Sequence, residues 1–270
     1  MRSRIKAFPR VTLAALLSVL AAAYGHADLY APNRPLLEIR TERFAIAFPP
    51  ELEETARRLA SFADSAWEEV AAKLDPEGAG TVRRDGPRIP VMLTPDSGVI
   101  NAYRASSPYG RIVLYAAPAE LDSTLGSFED DLRSAFLHEL THELSLSIRS
   151  PFWRAAAAVL GDAWAPAALW TASPPMIEGV TTAFESEAPD GSAVAQGRAN
   201  DPLSMATVRQ DLAEGVRRSW AQASGAGDRY PWGANHYHYG GAFSRWLRET
   251  RGPLAYAALW KELGAGRPLE

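Results

Sequence analysis

A chain of 270 residues, 47% hydrophobic and 22% charged, has apolar material for one sizeable core or two small ones sharing a cleft. Its formal net charge of −4 counts against nucleic acid as a partner, whose phosphates ask for a basic surface. It has no cysteine, so neither a disulfide framework nor a lipid-modified cysteine is available.

The first 27 residues stand apart. "MRSRIKAFPR" carries four positive charges and no acid, and "VTLAALLSVLAAAY" is an apolar run of signal-peptide length. Gly25 and Ala27 are the small residues expected just before a cleavage point. The segment reads as a cleaved secretory signal. An uncleaved anchor is the alternative, though the run is short for a span of ~20 residues. Losing Arg2, Arg4, Lys6 and Arg10 moves the net charge from −4 to −8. The expectation is an exported chain, periplasmic or extracellular, with no transmembrane segment once the leader is gone.

"RFAIAFPP" (43–50) alternates Phe44, Ile46 and Phe48 with alanines, which predicts a half-buried strand. Residues 51–74 place Leu52, Leu59, Phe62, Ala66 and Val70 at helical spacing, with acids in the first turn, and predict an amphipathic helix. "IPVMLT" (89–94) and "RIVLYAAP" (111–118) read as strands around a loop in which Asn101 and Tyr103 are candidate cleft residues. "RIVLY" is either a core strand or an edge open to an extended peptide. A helix is predicted from near Ser127 to about Ile148, on a stripe of Leu132, Phe136, Leu140, Leu144 and Ile148.

Residues 151–175, with Trp153, Trp164 and Trp170, read as one or two short buried helices. Arg154, Gly161, Asp162 and Pro166 interrupt the segment too often for a membrane span, and part of it is a candidate for contact with a partner or a membrane surface. A Pro-initiated helix follows over 174–187, then a loop, a helix from about Leu203 to Trp220, a second loop, and a long helix opened by "NHYHYGG". Arg217 and Arg218 read as a solvated helix face. The pattern is α+β: a small N-terminal β-sheet with helices and an edge strand (28–126), packed on a mostly helical part (127–270) across a cleft. The close at "KELGAGRPLE" is compatible with one domain of a longer protein.

"FLHELTHELS" (136–145) carries the chemistry. Residues four apart on a helix stand ~40° apart around the axis, one turn above the other, so His138 and His142 can aim at one point. Two imidazoles suit two corners of a tetrahedral zinc site, and Glu139 between them is placed to act on a metal-bound water. The competing view is an ordinary solvated helix. Against it, four of the five histidines fall in "HELTH" and "NHYHYGG", and the fifth, His26, lies in the leader. A third ligand is expected at Glu178 in "MIEGVTTAFE", with Gly179 allowing close approach of the helices that share the metal. Glu143, Glu185, Glu187 and Asp162 are alternative third ligands, and Glu185 can instead orient a ligand histidine.

"HELTH" followed by "EGVTTAFE" resembles the gluzincin metallopeptidases, the thermolysin-like group, with wording closest to aminopeptidase N relatives and peptidase MA-like domains. The resemblance covers roughly residues 40–260. It implies a zincin-like fold, one Zn²⁺ per chain held by His138, His142 and Glu178, and Glu139 as general base acting on a peptide or protein substrate. A Y-x-x-G helix start in "YHYGG" implies Tyr237 as oxyanion donor, with His238 and Tyr239 as fallbacks. Two features depart from the family: 35 residues separate His142 from Glu178, many more than in the aminopeptidases, and the segment that holds a free amino terminus is replaced by "SPYGRIVLY". The second departure favours an endopeptidase. The rival readings are a non-catalytic envelope module stapled by zinc, closed by His236 or His238 as fourth ligand, and a metal-free scaffold.

Overall fold

The computed structural model describes residues 34–98, 101–106, 109–117, 130–161, 167–194, 196–225, 230 and 233–267. The candidate leader, the expected helix start at Ser127, and Asp162 lie outside them.

Five strands form one mixed sheet: β1 (Leu37–Arg40), β2 (Phe44–Phe48), β3 (Ile89–Thr94), β4 (Asn101–Ala105) and β5 (Arg111–Tyr115), in spatial order β1-β2-β3-β5-β4. β2 buries Phe44, Ile46 and Phe48 and turns its alanines to the other face, the period-two pattern of its sequence. It runs parallel to β3, with Phe44 opposite Ile89, and β3 runs parallel to β5, with Val91 opposite Ile112. Parallel neighbours need a crossover, and α1 (Glu53–Leu74) supplies the first. α1 buries Leu59, Ala66, Trp67, Val70 and Leu74 in the shared core.

The remaining helices are α2 (Asp131–Leu146), α3 (Pro151–Leu160), α4 (Ala167–Thr171), α5 (Pro174–Phe184), α6 (Ala206–Ala213), α7 (Trp220–Ala223), α8 (Asn235–Arg251) and α9 (Pro253–Gly264). α2 is the centre of the molecule. Phe136 meets Phe44 of the sheet and Phe62 of α1 edge-on, at 5.3 and 5.9 Å between ring centres. Every residue from Ser134 to His142 is buried, so the helix is enclosed on all sides rather than on its apolar stripe alone. One hydrophobic cluster joins the sheet, α1, α2, α5 and α9, and the described residues from Pro35 onward form a single compact unit. The fold is α+β, a sheet in the N-terminal half and helices beyond it. Among the described residues no helix is long and apolar enough to cross a membrane.

Several expectations are corrected. Of its two readings, "RIVLY" takes the core one as β5, an interior strand, and the edge is β4, which lies within the expected loop. Asn101 and Tyr103 therefore sit on the sheet edge. β4 is tied to α2 by an Arg104–Glu143 ion pair of 2.7 Å, both side chains largely buried. The Trp-rich segment is buried only in its later part: α3 buries none of its residues, whereas Ala168 of α4 and Ala172 just after it lie in the core. The helix expected over 203–220 is instead α6 and the short α7, separated at Gly215, whose φ of 68° is a backbone conformation that favours glycine. Arg218 is not a solvated residue, since its guanidinium pairs with Asp211 and donates to Tyr239 Oη.

Gly179 does permit a close helix approach, but toward α8 rather than α2. A Cβ on Gly179 would lie 2.3 Å from the Gly240 carbonyl oxygen, and one on Gly240 would lie 2.1 Å from that of Pro175. The α5–α8 contact is the most extensive between helices among the described residues. Overpacking at such a crossing costs ~1–3 kcal/mol. Gly240→Ala should lower the urea midpoint accordingly; a midpoint equal to that of the parent chain would contradict the close crossing.

Candidate metal centre

α2 presents His138 and His142 to one point, their ring centres 4.8 Å apart and their planes at 82°. From α5, Glu178 Oε2 comes within 3.3 Å of His138 Nε2 and 3.1 Å of His142 Nε2. The three ligand atoms all lie within 4.8 Å of one another. Bonds of about 2.0–2.1 Å at tetrahedral angles set ligand–ligand edges of about 3.3 Å, so both His–Glu separations fit edges of a metal polyhedron. His142 Nδ1 is buried without a hydrogen-bond partner, which leaves Nε2 as that ring's engaged nitrogen. This group could bind a metal ion.

What orients His138 is a buried carboxylate. Glu185, at the C-terminal end of α5, stands 2.9 Å from His138 Nδ1 through Oε2. Arg198 grips the same carboxylate: Nε donates to Oε1 at 2.8 Å, Nη2 to Oε2 at 2.9 Å, and the backbone N–H to Oε1 at 3.0 Å. Arg198 Nη2 also lies 2.6 Å from His138 Nδ1. Of the two groups facing Nδ1 only the carboxylate accepts, so Nδ1 donates to Glu185 and the Nε2 lone pair is available to a metal.

Without a metal the site is strongly polarised. Burial and the Arg198 cation oppose charge on His138, but hydrogen bonds to Glu178 and Glu185 prevail and raise its pKa to about 9. Burial pushes the Glu178 carboxyl up, yet the two histidines hold it well below the usual carboxylate range. Glu185 is opposed by burial in the same way and is held down to about 2 by Arg198 and His138. A metal at Nε2 therefore displaces a proton from His138 and meets a carboxylate that is already ionised.

Glu139 is buried beside the pair, and its charge acts on both His138 and Tyr237. Tyr237, near the start of α8, has its ring centre 6.0 Å from that of His138. The Arg198 guanidinium lies over the tyrosine ring at 4.5 Å. Burial, then the Glu178 charge, push the Tyr237 phenol up to about 12, which keeps it a hydrogen-bond donor at neutral pH. The α5–α8 crossing brings Glu178 and Tyr237 to the same site, one residue from Gly179 and three from Gly240.

The alternatives are engaged elsewhere. Glu143 pairs with Arg104, Glu187 with Arg248, and Glu185 holds Nδ1 rather than the metal point. Tyr239 is bound to Asp211 and Arg218, which removes it as a fallback donor. His236 and His238 are not members of the three-ligand group. The pKa of each is lowered by burial, and Arg198 adds to that effect in both. The residue that sequence reasoning missed is Arg198. It sits in an irregular loop, announced only by Gly197, which has φ 90° and no room for a Cβ against Ser186.

No family model matches the chain. A protein of Treponema pallidum (strain Nichols), described as uncharacterized, is 33% identical over 224 residues. The match covers 83% of this chain and 18% of that protein, so the chain spans less than a fifth of the relative's length.

Carboxylates that hold a ligand histidine typically account for 10–100-fold in metal affinity. Glu185→Gln keeps the shape but removes the charge that Arg198 and His138 share. Competition against a chromogenic chelator should show metal affinity reduced by about that factor; unchanged affinity would mean that Glu185 does not position the ligand.

Proposed function

We propose that this chain is an exported zinc-dependent metallopeptidase of the gluzincin type, an endopeptidase rather than an aminopeptidase. The observation that carries the reading is the convergence of His138, His142 and Glu178 with Glu139 and Tyr237 beside them. Two imidazoles and one carboxylate suit zinc, a borderline-soft ion, better than they suit calcium or magnesium, which prefer all-oxygen shells. Three protein ligands are the number found in catalytic zinc sites, where the fourth position serves water or substrate. Among the described residues no fourth ligand joins the group, which favours an open catalytic site over a closed zinc staple in an envelope assembly module.

Bound zinc would supply Lewis acidity toward a peptide carbonyl and lower the pKa of water at the site. Glu139 would accept the proton of the attacking water and deliver it to the leaving amine. Tyr237 would donate a hydrogen bond to the developing oxyanion, a contribution of ~3–4 kcal/mol where a single such donor has been removed from other enzymes. Arg198 keeps Tyr237 and Glu185 in register through one guanidinium. β4, the outermost strand of the sheet among the described residues and anchored to α2 through Arg104, would offer backbone groups to an extended peptide. The export proposal rests on the basic, then apolar, first 27 residues.

The test is casein cleavage by the zinc-loaded chain and two variants. Glu139→Gln should keep its zinc and lose cleavage, and Tyr237→Phe should keep its zinc and lose about 10²–10³-fold in kcat. Cleavage that survives Glu139→Gln would exclude this mechanism, and a parent chain that binds zinc without any cleavage would return the site to a structural role.

A further inference from the structure

A second feature lies on another part of the molecule. α3 is made of "PFWRAAAAVL", and it buries none of these residues. Phe152 is 73% exposed and Val159 84%, and Trp170 of α4, whose ring centre lies 6.3 Å from that of Trp153, is 64% exposed. No acid occurs between Arg149 and Gly161. Next to this face is a cavity of about 550 Å³ lined by Arg43, Arg83, Arg84, Arg88, Arg149 and Arg154, with Glu42 and Glu143 as the acids in its wall. Six arginines against two glutamates leave +4 on the lining. Adding Glu68 and Asp85, which pair with lining arginines, and Arg104, which pairs with Glu143, still leaves +3. In a chain of net charge −4 this is a local reversal of sign.

The cavity and the apolar face are neighbours on one helix. At 100° per residue, Ala157, Arg154 and Ala158, which line the cavity, occupy adjoining positions around α3. Continuing round the axis come Ala155, Val159 and Phe152, and of these six residues all but the half-buried Ala157 are open to solvent. The cavity is also distinct from the metal centre: Ser147, in its wall, lies nine residues from His138 and so half a turn away around the axis of α2.

We infer that α3, with Trp170 and the arginine-lined cavity, forms a docking site for a bilayer surface rich in anionic phospholipid. Phe152, Val159 and Trp170 enter the boundary between headgroups and acyl chains, the position that exposed aromatic and aliphatic residues of interfacial helices occupy. The cavity arginines receive lipid phosphate, for which guanidinium groups provide paired donors. Charge complementarity selects this occupant: an apolar face bordered by cations and free of acids fits an anionic membrane surface.

The chain has no cysteine, so a single introduced thiol can be labelled uniquely with an environment-sensitive fluorophore. In the full chain, a label on Phe152→Cys should shift to the blue with vesicles of mixed phosphatidylglycerol and phosphatidylcholine. A label on Leu212→Cys, an exposed position of α6, should not. Pure phosphatidylcholine should bind at least ~10-fold more weakly, and Arg83→Glu with Arg154→Glu should weaken binding to mixed vesicles by a similar factor. Val159→Asp should abolish the shift without altering the unfolding midpoint, because Val159 is 84% exposed. Four results would overturn the proposal: no shift at Phe152; an equal shift with neutral vesicles; a shift produced by inorganic phosphate alone; or a shift that grows with protein concentration without lipid, which would assign the face to a second copy of the chain.

Discussion

Where α5 and α8 cross, there is no room for a side chain at Gly179 or Gly240, and the candidate metal centre depends on that fact. Gly179 and Gly240 bring the two backbones together. The residue before the first glycine is Glu178, and three residues before the second is Tyr237. A larger residue at either point would push the carboxylate and the phenol away from His138 and His142, which α2 fixes from the other side. The spacing of the site is thus set by backbone contact, a harder constraint than side-chain packing, since backbone atoms cannot change rotamer to make room.

The second constraint is charge. Burying Glu185, Arg198, His138 and Glu178 in one region is costly, several kcal/mol for each isolated ion, and tolerable only when each is paired. Arg198 answers Glu185, Glu185 answers His138, and Glu178 faces both histidines. This chain of partners ends at the histidine nitrogens, the point where a metal ion could bind. A similar economy holds elsewhere: Lys73 and Glu69 of α1 form a buried ion pair that the half-exposed Arg133 joins, with Lys73 donating to the backbone carbonyls of Phe184 and Glu187. That group anchors the C-terminal end of α5, next to Glu185.

Much of this was legible in the sequence because it follows local periodicity. The alternation of Phe44, Ile46 and Phe48, the strand over 89–94, the helix ending at Leu74 and the stacking of His138 over His142 are properties of neighbouring residues. Glu178 was reachable because it stands beside Gly179 on the next Pro-initiated helix, where a glutamate can meet the histidine pair. What escaped depends on long-range contact. Arg198 meets His138 across 60 residues of chain from a loop without pattern. β4 reads as loop because "NAYRA" is polar for a strand, and it is a strand because β5 and Arg104 hold it at the edge. The reverse error occurred at α3, whose composition signals burial: hydropathy records that a surface is apolar, not whether the fold provides anything to cover it.

The central claim is that these residues hold a zinc ion through three protein ligands, one of them arriving on α5. The most direct measurement is metal content per folded chain by mass spectrometry of the elements, for the parent and for Glu178→Ala. The account predicts about one zinc in the parent and a strongly reduced content in the variant, with folding intact by circular dichroism. A parent chain that takes up no zinc on reconstitution, or a variant that keeps its full complement, would contradict it.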